Sequence, residues 1–283
     1  MATNPLDAIL AQYEQSQKSS TTSNKMSQDE RMKKYFAALL KDNEKQGQKR
    51  LRILPTSDGS SPFKEVWFHE IQVDGKWQKF YDPGKNDNER SPLSEVYEEL
   101  MATGRDADKE LAKQYKPRKF YIVKLIDRDN EQDGVKFWRF KHNYKNEGIL
   151  DKLIPIFRAK GDVTDPTKGR DIILEMTKAK TPKGAAYTVI QTIMYDDPAP
   201  IHEDKEIADS WVNDELTWAD VYSKKPVEYL EAIAKGETPR WDSEKGGYVY
   251  GNSDAGEVSF GGKSTPTYMD DSDEFEVSGD LPF

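Results

Sequence analysis

Between Tyr115 and Lys145 the chain reads YKPRKFYIVKLIDRDNEQDGVKFWRFKHNYK. Aromatic residues (Tyr115, Phe120, Tyr121, Phe137, Trp138, Phe140, Tyr144) alternate there with cations (Lys116, Arg118, Lys119, Lys124, Arg128, Lys136, Arg139, Lys141, Lys145). A flat ring can stack on any base, and a cation can neutralise a phosphate. The chemistry is therefore binding rather than bond-making, and a single nucleic-acid strand with exposed bases is the ligand it suits. An ordinary hairpin with half its rings in the core would share this composition, so the rest of the chain must decide.

Other chemistries lack their residues. The chain has no cysteine, which removes disulfides, thiolate zinc sites, iron–sulfur clusters and thiol catalysis. No strand–glycine-rich turn–helix unit and no Gly-x-x-x-x-Gly-Lys occurs, so nucleotide hydrolysis has no support. A metal-dependent nuclease would need clustered carboxylates; here they are scattered. The expectation is a binding protein and not an enzyme, with a metal-dependent nuclease or an acidic interaction or virion-associated protein as alternatives. No apolar run approaches membrane-spanning length, and the start lacks a signal-peptide layout. The expected location is the cytoplasm, with no membrane partner.

The binding residues must be held by strands. Lys119–Asp127 and Val135–His142 read as a hairpin closed by Asp133-Gly134. Tyr121, Val123 and Leu125 alternate as a core face, which leaves Arg118, Phe120, Ile122 and Lys124 on the face suited to DNA. The return strand has no purely apolar parity, so Trp138 and Arg139 cannot both be assigned to a groove. Gln48–Pro55 is a basic strand carrying Arg50 and Arg52. Pro62–Val73 and Lys76–Tyr81 flank Asp74-Gly75, a hairpin signal. Ser91-Pro92 opens a helix closed by Gly104. Residues 29–42 read as a helix, Gly148–Phe157 as one or two turns before Pro155 interrupts, and Asp171–Lys180 and Ala185–Tyr195 as the last strands. Weak helices follow at Glu206–Asn213 and Pro226–Lys235, with a capping-box pattern from Thr217 to Asp220. The predicted fold is mostly β with inserted helices: a small, partly open barrel with a helical insert subdomain.

The charge is uneven along the chain. Hydrophobic residues are 35% and charged residues 33%, and the formal net charge is −9. Residues 25–195 carry 34 Lys and Arg against 27 Asp and Glu, net +7, whereas residues 196–283 carry 7 against 22, net −15. A basic body with an acidic tail is the asymmetry of a nucleic-acid binder that carries its own anionic competitor or docking segment. Residues 1–27 comprise an amphipathic arm, with Leu6, Ile9, Leu10 and Tyr13 on one stripe, and a polar linker. Such an arm offers a device for self-association on DNA. The body spans 28–235, with an insert at 61–104 and C-terminal helices at 203–235; from 236 to 283 glycine, serine and acids argue for no fixed structure.

The chain resembles the single-stranded-DNA-binding, helix-destabilising proteins of T-even-like bacteriophages. The matching pieces are Leu51–Pro55 (LRILP) followed by Pro62-Phe63, His69 with Asp74-Gly75-Lys76-Trp77, Val135–Phe140 (VKFWRF) with Ile149–Leu153 (ILDKL), and the acidic carboxy tail. The resemblance implies an oligonucleotide-binding (OB) barrel, an OB-fold-like core that coats single strands during replication, recombination and repair in the cytoplasm of a bacterial host cell. It places Arg52 against the backbone, Phe120 or Tyr121 near an aromatic of the central hairpin, Trp138-Arg139-Phe140 on the returning strand, and Tyr187 near a late aromatic of the groove. The candidate DNA-binding residues are thus Arg50, Arg52, Lys116, Arg118, Lys119, Phe120, Lys124, Arg128, Lys136, Trp138, Arg139, Lys141, Tyr144 and Tyr187.

Three departures follow. The family's structural zinc uses one histidine and three cysteines; His69 lies at the histidine's place, but Ser91 and Ser94 stand where a Cys-x-x-Cys pair would be. No cofactor is expected, and the insert should hold by packing of Trp67, Phe68, Trp77, Phe80, Leu93, Val96, Tyr97 and Leu100. The basic amino-terminal arm of the family is replaced by the near-neutral helix. The end, Asp280-Leu281-Pro282-Phe283, is similar to the tail tip of cellular bacterial single-strand-binding proteins. That likeness implies that Asp270, Asp271, Asp273, Glu274, Asp280, Leu281, Pro282 and Phe283 dock on replication and recombination proteins.

Overall fold

A computed structural model describes residues 28–181, 184–222, 224–242 and 247–249. The amino-terminal arm and the tail tip lie outside them. After a short helix α1 (Gln28–Lys33) come β1 (Gln46–Ile53), β2 (Lys64–Val73) and β3 (Lys76–Tyr81). The insert then forms α2 (Pro83–Asp87), α3 (Pro92–Ala102) and α4 (Asp106–Tyr115). The central hairpin is β4 (Pro117–Asp127) and β5 (Val135–Lys141), followed by α5 (Ile149–Lys160), β6 (Ile172–Lys180) and β7 (Ala186–Tyr195). Helices α6 (Lys205–Val212), α7 (Trp218–Val221) and α8 (Val227–Ala234) precede a ladder of β8 (Arg240–Asp242) and β9 (Gly247–Val249). This ladder carries regular structure past Gly236, where composition argued for none; Tyr248 packs edge-on against Tyr229 of α8 at 4.8 Å. No helix among the described residues is long and apolar enough to cross a membrane.

The strands make an open antiparallel sheet in the order β3-β2-β4-β1-β6-β7, with β5 also paired to β4. β4 organises it. Ile122 pairs with Lys64 on one side and Arg139 on the other, and Ile126 pairs with Arg52 and Val135. One edge of β4 therefore serves β2 and then β1, while the other serves β5. Asp74 and Gly75 close the β2–β3 hairpin with φ of +50° and +77°, the left-handed pair that a two-residue turn requires.

Alternation decides which side chains go inward. Leu51 and Ile53 of β1, Tyr121, Val123 and Leu125 of β4, Trp138 and Phe140 of β5, and Ile172, Leu174 and Met176 of β6 share one core with Leu153 and Ile156 of α5. Each such aliphatic side chain contributes about 1.5–3 kcal/mol. Residues 34–40 bridge β5 and β7. Phe36 N–H donates to the Phe137 carbonyl at 2.9 Å, and Leu40 N–H donates to Thr188 Oγ1 at 3.1 Å. The helix expected over 29–42 therefore stops at Lys33, because Phe36, Ala38 and Leu40 enter the core at every second residue.

The opposite face of the β4–β5 hairpin is covered too. Phe120, Ile122 and Phe137 pack with Val66, Phe68, Tyr81, Val221 and Tyr222, and Leu216 and Trp218 lie against them. A third cluster holds the insert: Phe80 and Leu93, with Val96, Tyr97 and Leu100, meet Ile71, Tyr115, Tyr229 and Ile233. Phe68 belongs instead to the second cluster, and Trp77 is exposed. The Thr217 box forms as expected, with Thr217 N–H and Oγ1 both donating to Asp220 at 2.8 and 2.7 Å. Helix α5 runs through Pro155 rather than stopping there.

Candidate nucleic-acid interface

Four of the predicted contact residues are buried and cannot meet a strand. Trp138 is 1% exposed, between Phe36 and Phe140 in the main core. Phe120 is 3% exposed, because β2 and residues 216–222 cover the hairpin face that parity had left for DNA. Arg52 is fully buried: its guanidinium donates to Asp171 at 3.2 Å and to the carbonyls of Asp165 and Ala199 at 3.0 and 2.8 Å. Lys136 sits between Asp127 at 3.4 Å and Asp133 at 2.8 Å. These cations hold the fold together.

Three further cations are engaged within the structure. Arg128 grips Asp171 through Nε and Nη2 at 2.9 Å each and meets Glu131 at 2.7 Å. Burial pulls its pKa down, but these carboxylates outweigh burial and hold it above its ordinary value. Lys124 is paired with Asp214 at 3.0 Å, beneath the covering segment. Arg139 lies 4.9 Å from the Tyr222 ring and 5.0 Å from the Phe68 ring, a cation–π seat inside the second cluster.

The accessible residues gather at the end of the sheet where β2, β4 and β5 meet. Trp67 pairs with Lys119 across the ladder, and His142 N–H donates to the Lys119 carbonyl at 2.9 Å. Lys119 Nζ lies 5.9 Å from the Trp67 ring and 6.0 Å from the Tyr121 ring, with Glu65 at 3.2 Å. Partial burial disfavours its charge, but Glu65 and Tyr121 more than compensate, so its pKa is raised and the ammonium stays charged. Tyr121 Oη is 3.1 Å from His142 Nδ1, and the His142 ring meets Tyr144 edge-on at 4.4 Å. Tyr144 is 67% exposed, the most open aromatic ring among the described residues. Trp67, Lys119, His142 and Tyr144 thus form one strip of rings with an embedded cation, resting on the buried ring of Tyr121.

On the other face of the same sheet end, three cations surround one carboxylate. Lys141, Arg118 and Lys79 lie 3.1, 3.3 and 3.6 Å from Glu70. Burial would raise the Glu70 pKa, but these three cations lower it, so the acid is ionised and positive charge remains in excess. Lys116, just before β4, is half-buried at this end. Arg50 and Tyr187 lie elsewhere: Arg50 is half-exposed and paired with Asp196 at 3.1 Å, and Tyr187 is half-buried on β7. Sequence reasoning missed Trp67, His142, Lys79 and Glu70 as members of this neighbourhood. Only strand register joins them to Lys119 and Arg118, and register was not readable from the local pattern.

Among the described residues no accessible catalytic constellation competes with this reading. Among the described residues no group of three or more His, Asp and Glu could hold a metal. One Ser–His–Asp group exists, Ser94, His69 and Asp82, but His69 and Asp82 are fully buried. Ser94 and Asp82 also both face Nε2 of the ring, whereas a nucleophilic triad places its acid on Nδ1.

An open antiparallel sheet with inserted helices and a strip of rings and cations defines a nucleic-acid-binding module. Residues 45–236 match the family model described as gp32 DNA binding protein like. That match covers more than half of the chain, and the chain belongs to this family of DNA-binding proteins, whose ligand is single-stranded DNA. No curated protein matches it.

Proposed function

We propose that this protein coats single-stranded DNA without sequence preference during replication, recombination and repair, and that the strand crosses the sheet end marked by Tyr144. The observation that carries the reading is the strip of Trp67, Lys119, His142 and Tyr144, with the buried Tyr121 ring beneath it. Rings accept any base on their faces, which gives affinity without sequence readout. Lys119 within the strip, with Lys116 near it and Arg118, Lys79 and Lys141 on the other face of the same sheet end, supplies positive charge for phosphates. The acidic tail serves replication and recombination proteins through its terminal residues and competes with DNA for the basic body. No cofactor is needed for this function.

The test is Tyr144→Ala. The ring is exposed, so the thermal midpoint should stay at the wild-type value. Loss of one stacking ring costs about 1–3 kcal/mol, so affinity for oligo-dT should fall roughly ten- to a hundredfold. Wild-type affinity in this variant would place the strand elsewhere.

A further inference from the structure

The family resemblance implies a zinc ion held by one histidine and three cysteines, and this chain has no cysteine. His69, on β2, stands at the histidine's place; Ser91 and Ser94, at the start of α3, stand at two of the cysteine places. The structure brings a fourth residue to the same point. Asp82, just after β3, lies with Oδ2 3.5 Å from His69 Nε2 and accepts from Ser94 Oγ at 3.1 Å. Its Oδ1 accepts from the Gly84 N–H at 2.9 Å. His69 Nδ1 is 2.7 Å from the Tyr115 carbonyl at the end of α4. A carbonyl only accepts, so that nitrogen carries a proton. His69 and Asp82 are fully buried, and Ser91 is 5% exposed.

This donor set does not fit a structural zinc. Such sites are closed by four thiolate, imidazole or carboxylate ligands. Here one imidazole and one carboxylate face two neutral hydroxyls, and both carboxylate oxygens already accept hydrogen bonds. A metal would have to strip those bonds while gaining only two strong ligands.

We propose that His69, Asp82 and Ser94, with Ser91 buried beside them, form a hydrogen-bonded replacement for the metal site, tying β2, the end of β3 and α3 together at one buried point. The Tyr115 carbonyl adds α4 to the same knot. The insert then needs no ion, because polar contacts inside a low-dielectric interior do the cross-linking. The side chains converge as ligands would, yet their chemistry is that of donors and acceptors.

The test uses the full chain and reads metal content and thermal unfolding, so its outcome is independent of DNA binding. The wild-type protein should carry no stoichiometric zinc, and neither chelator nor added zinc should move its melting temperature. Ser94→Ala and Asp82→Asn should each lower that temperature by several degrees, without any response to zinc. The triple variant Asp82→Cys, Ser91→Cys, Ser94→Cys, refolded with zinc, should bind one ion per chain and melt lower once chelator is added. Stoichiometric zinc in the wild type, or a chelator-induced fall in its melting temperature, would overturn the proposal. So would unchanged melting of both single variants, or failure of the triple variant to take up zinc.

Discussion

Arg52 and Lys119 are both cations on central strands, and their surroundings give them opposite work. Arg52 spends its guanidinium on Asp171 and two carbonyls inside the protein. Lys119 stands between two rings at the open end of the sheet. Phe120 resembles Arg52 in this respect, since it fills a buried cluster with Phe68 and Tyr222. Phe120→Ala should therefore cost about 3–5 kcal/mol of stability, read as a lower midpoint in urea unfolding. Wild-type stability with a selective loss of DNA affinity would contradict its burial. Parity along β4 correctly sent Tyr121, Val123 and Leu125 inward. It could not reveal that residues 216–222, nearly a hundred positions further on, cover the other face. Composition pointed to this stretch of chain; long-range packing decides which of its side chains remain accessible.

At the scale of elements, strand positions were the most legible, because alternation and the Asp74-Gly75 turn are local signals. The segment 34–40 was misread because Met32, Tyr35, Phe36 and Leu39 also satisfy a helical stripe. Its pairing with β5 and Thr188, contacts far along the chain, settles it as extended. The insert shows the same limit: its helices were partly readable, but the role of Asp82 was not. Burial raises the Asp82 pKa, yet the His69 hydrogen bond and charge, with the Gly84 N–H, outweigh it and bring it from 3.8 to about 2. A depressed carboxylate pKa stabilises the fold fully above its unfolded value and loses that contribution as pH falls through the folded one. Asp82 should thus supply about 2 kcal/mol that disappears between about pH 4 and pH 2. Urea unfolding across that range should show the drop in the wild type and a smaller one in Asp82→Asn. Parallel curves for the two proteins would contradict this.

For the whole molecule, charge is the organising quantity. A body of net +7 over residues 25–195 is followed by 88 residues of net −15. Their attraction must compete with DNA at low ionic strength, where exposed charges act over tens of ångströms, and must fade as salt shortens that reach. Truncation after Tyr268 removes Asp270, Asp271, Asp273, Glu274, Glu276 and Asp280. It should tighten binding to oligo-dT at low salt, with the gain vanishing at high salt. Equal affinities at all salt concentrations would leave the tail to protein partners alone.

The central claim, that the aromatic and cationic end of the sheet takes a single strand, is tested most directly by quenching of tryptophan fluorescence. Oligo-dT and duplex of equal length would be titrated at several salt concentrations. Trp67, half-buried in the strip, is the expected reporter. The single strand should quench strongly, with log affinity falling against log salt at a slope near −0.7 for each phosphate neutralised, and the duplex should compete weakly. Equal competition by duplex, or quenching that ignores salt, would contradict the account.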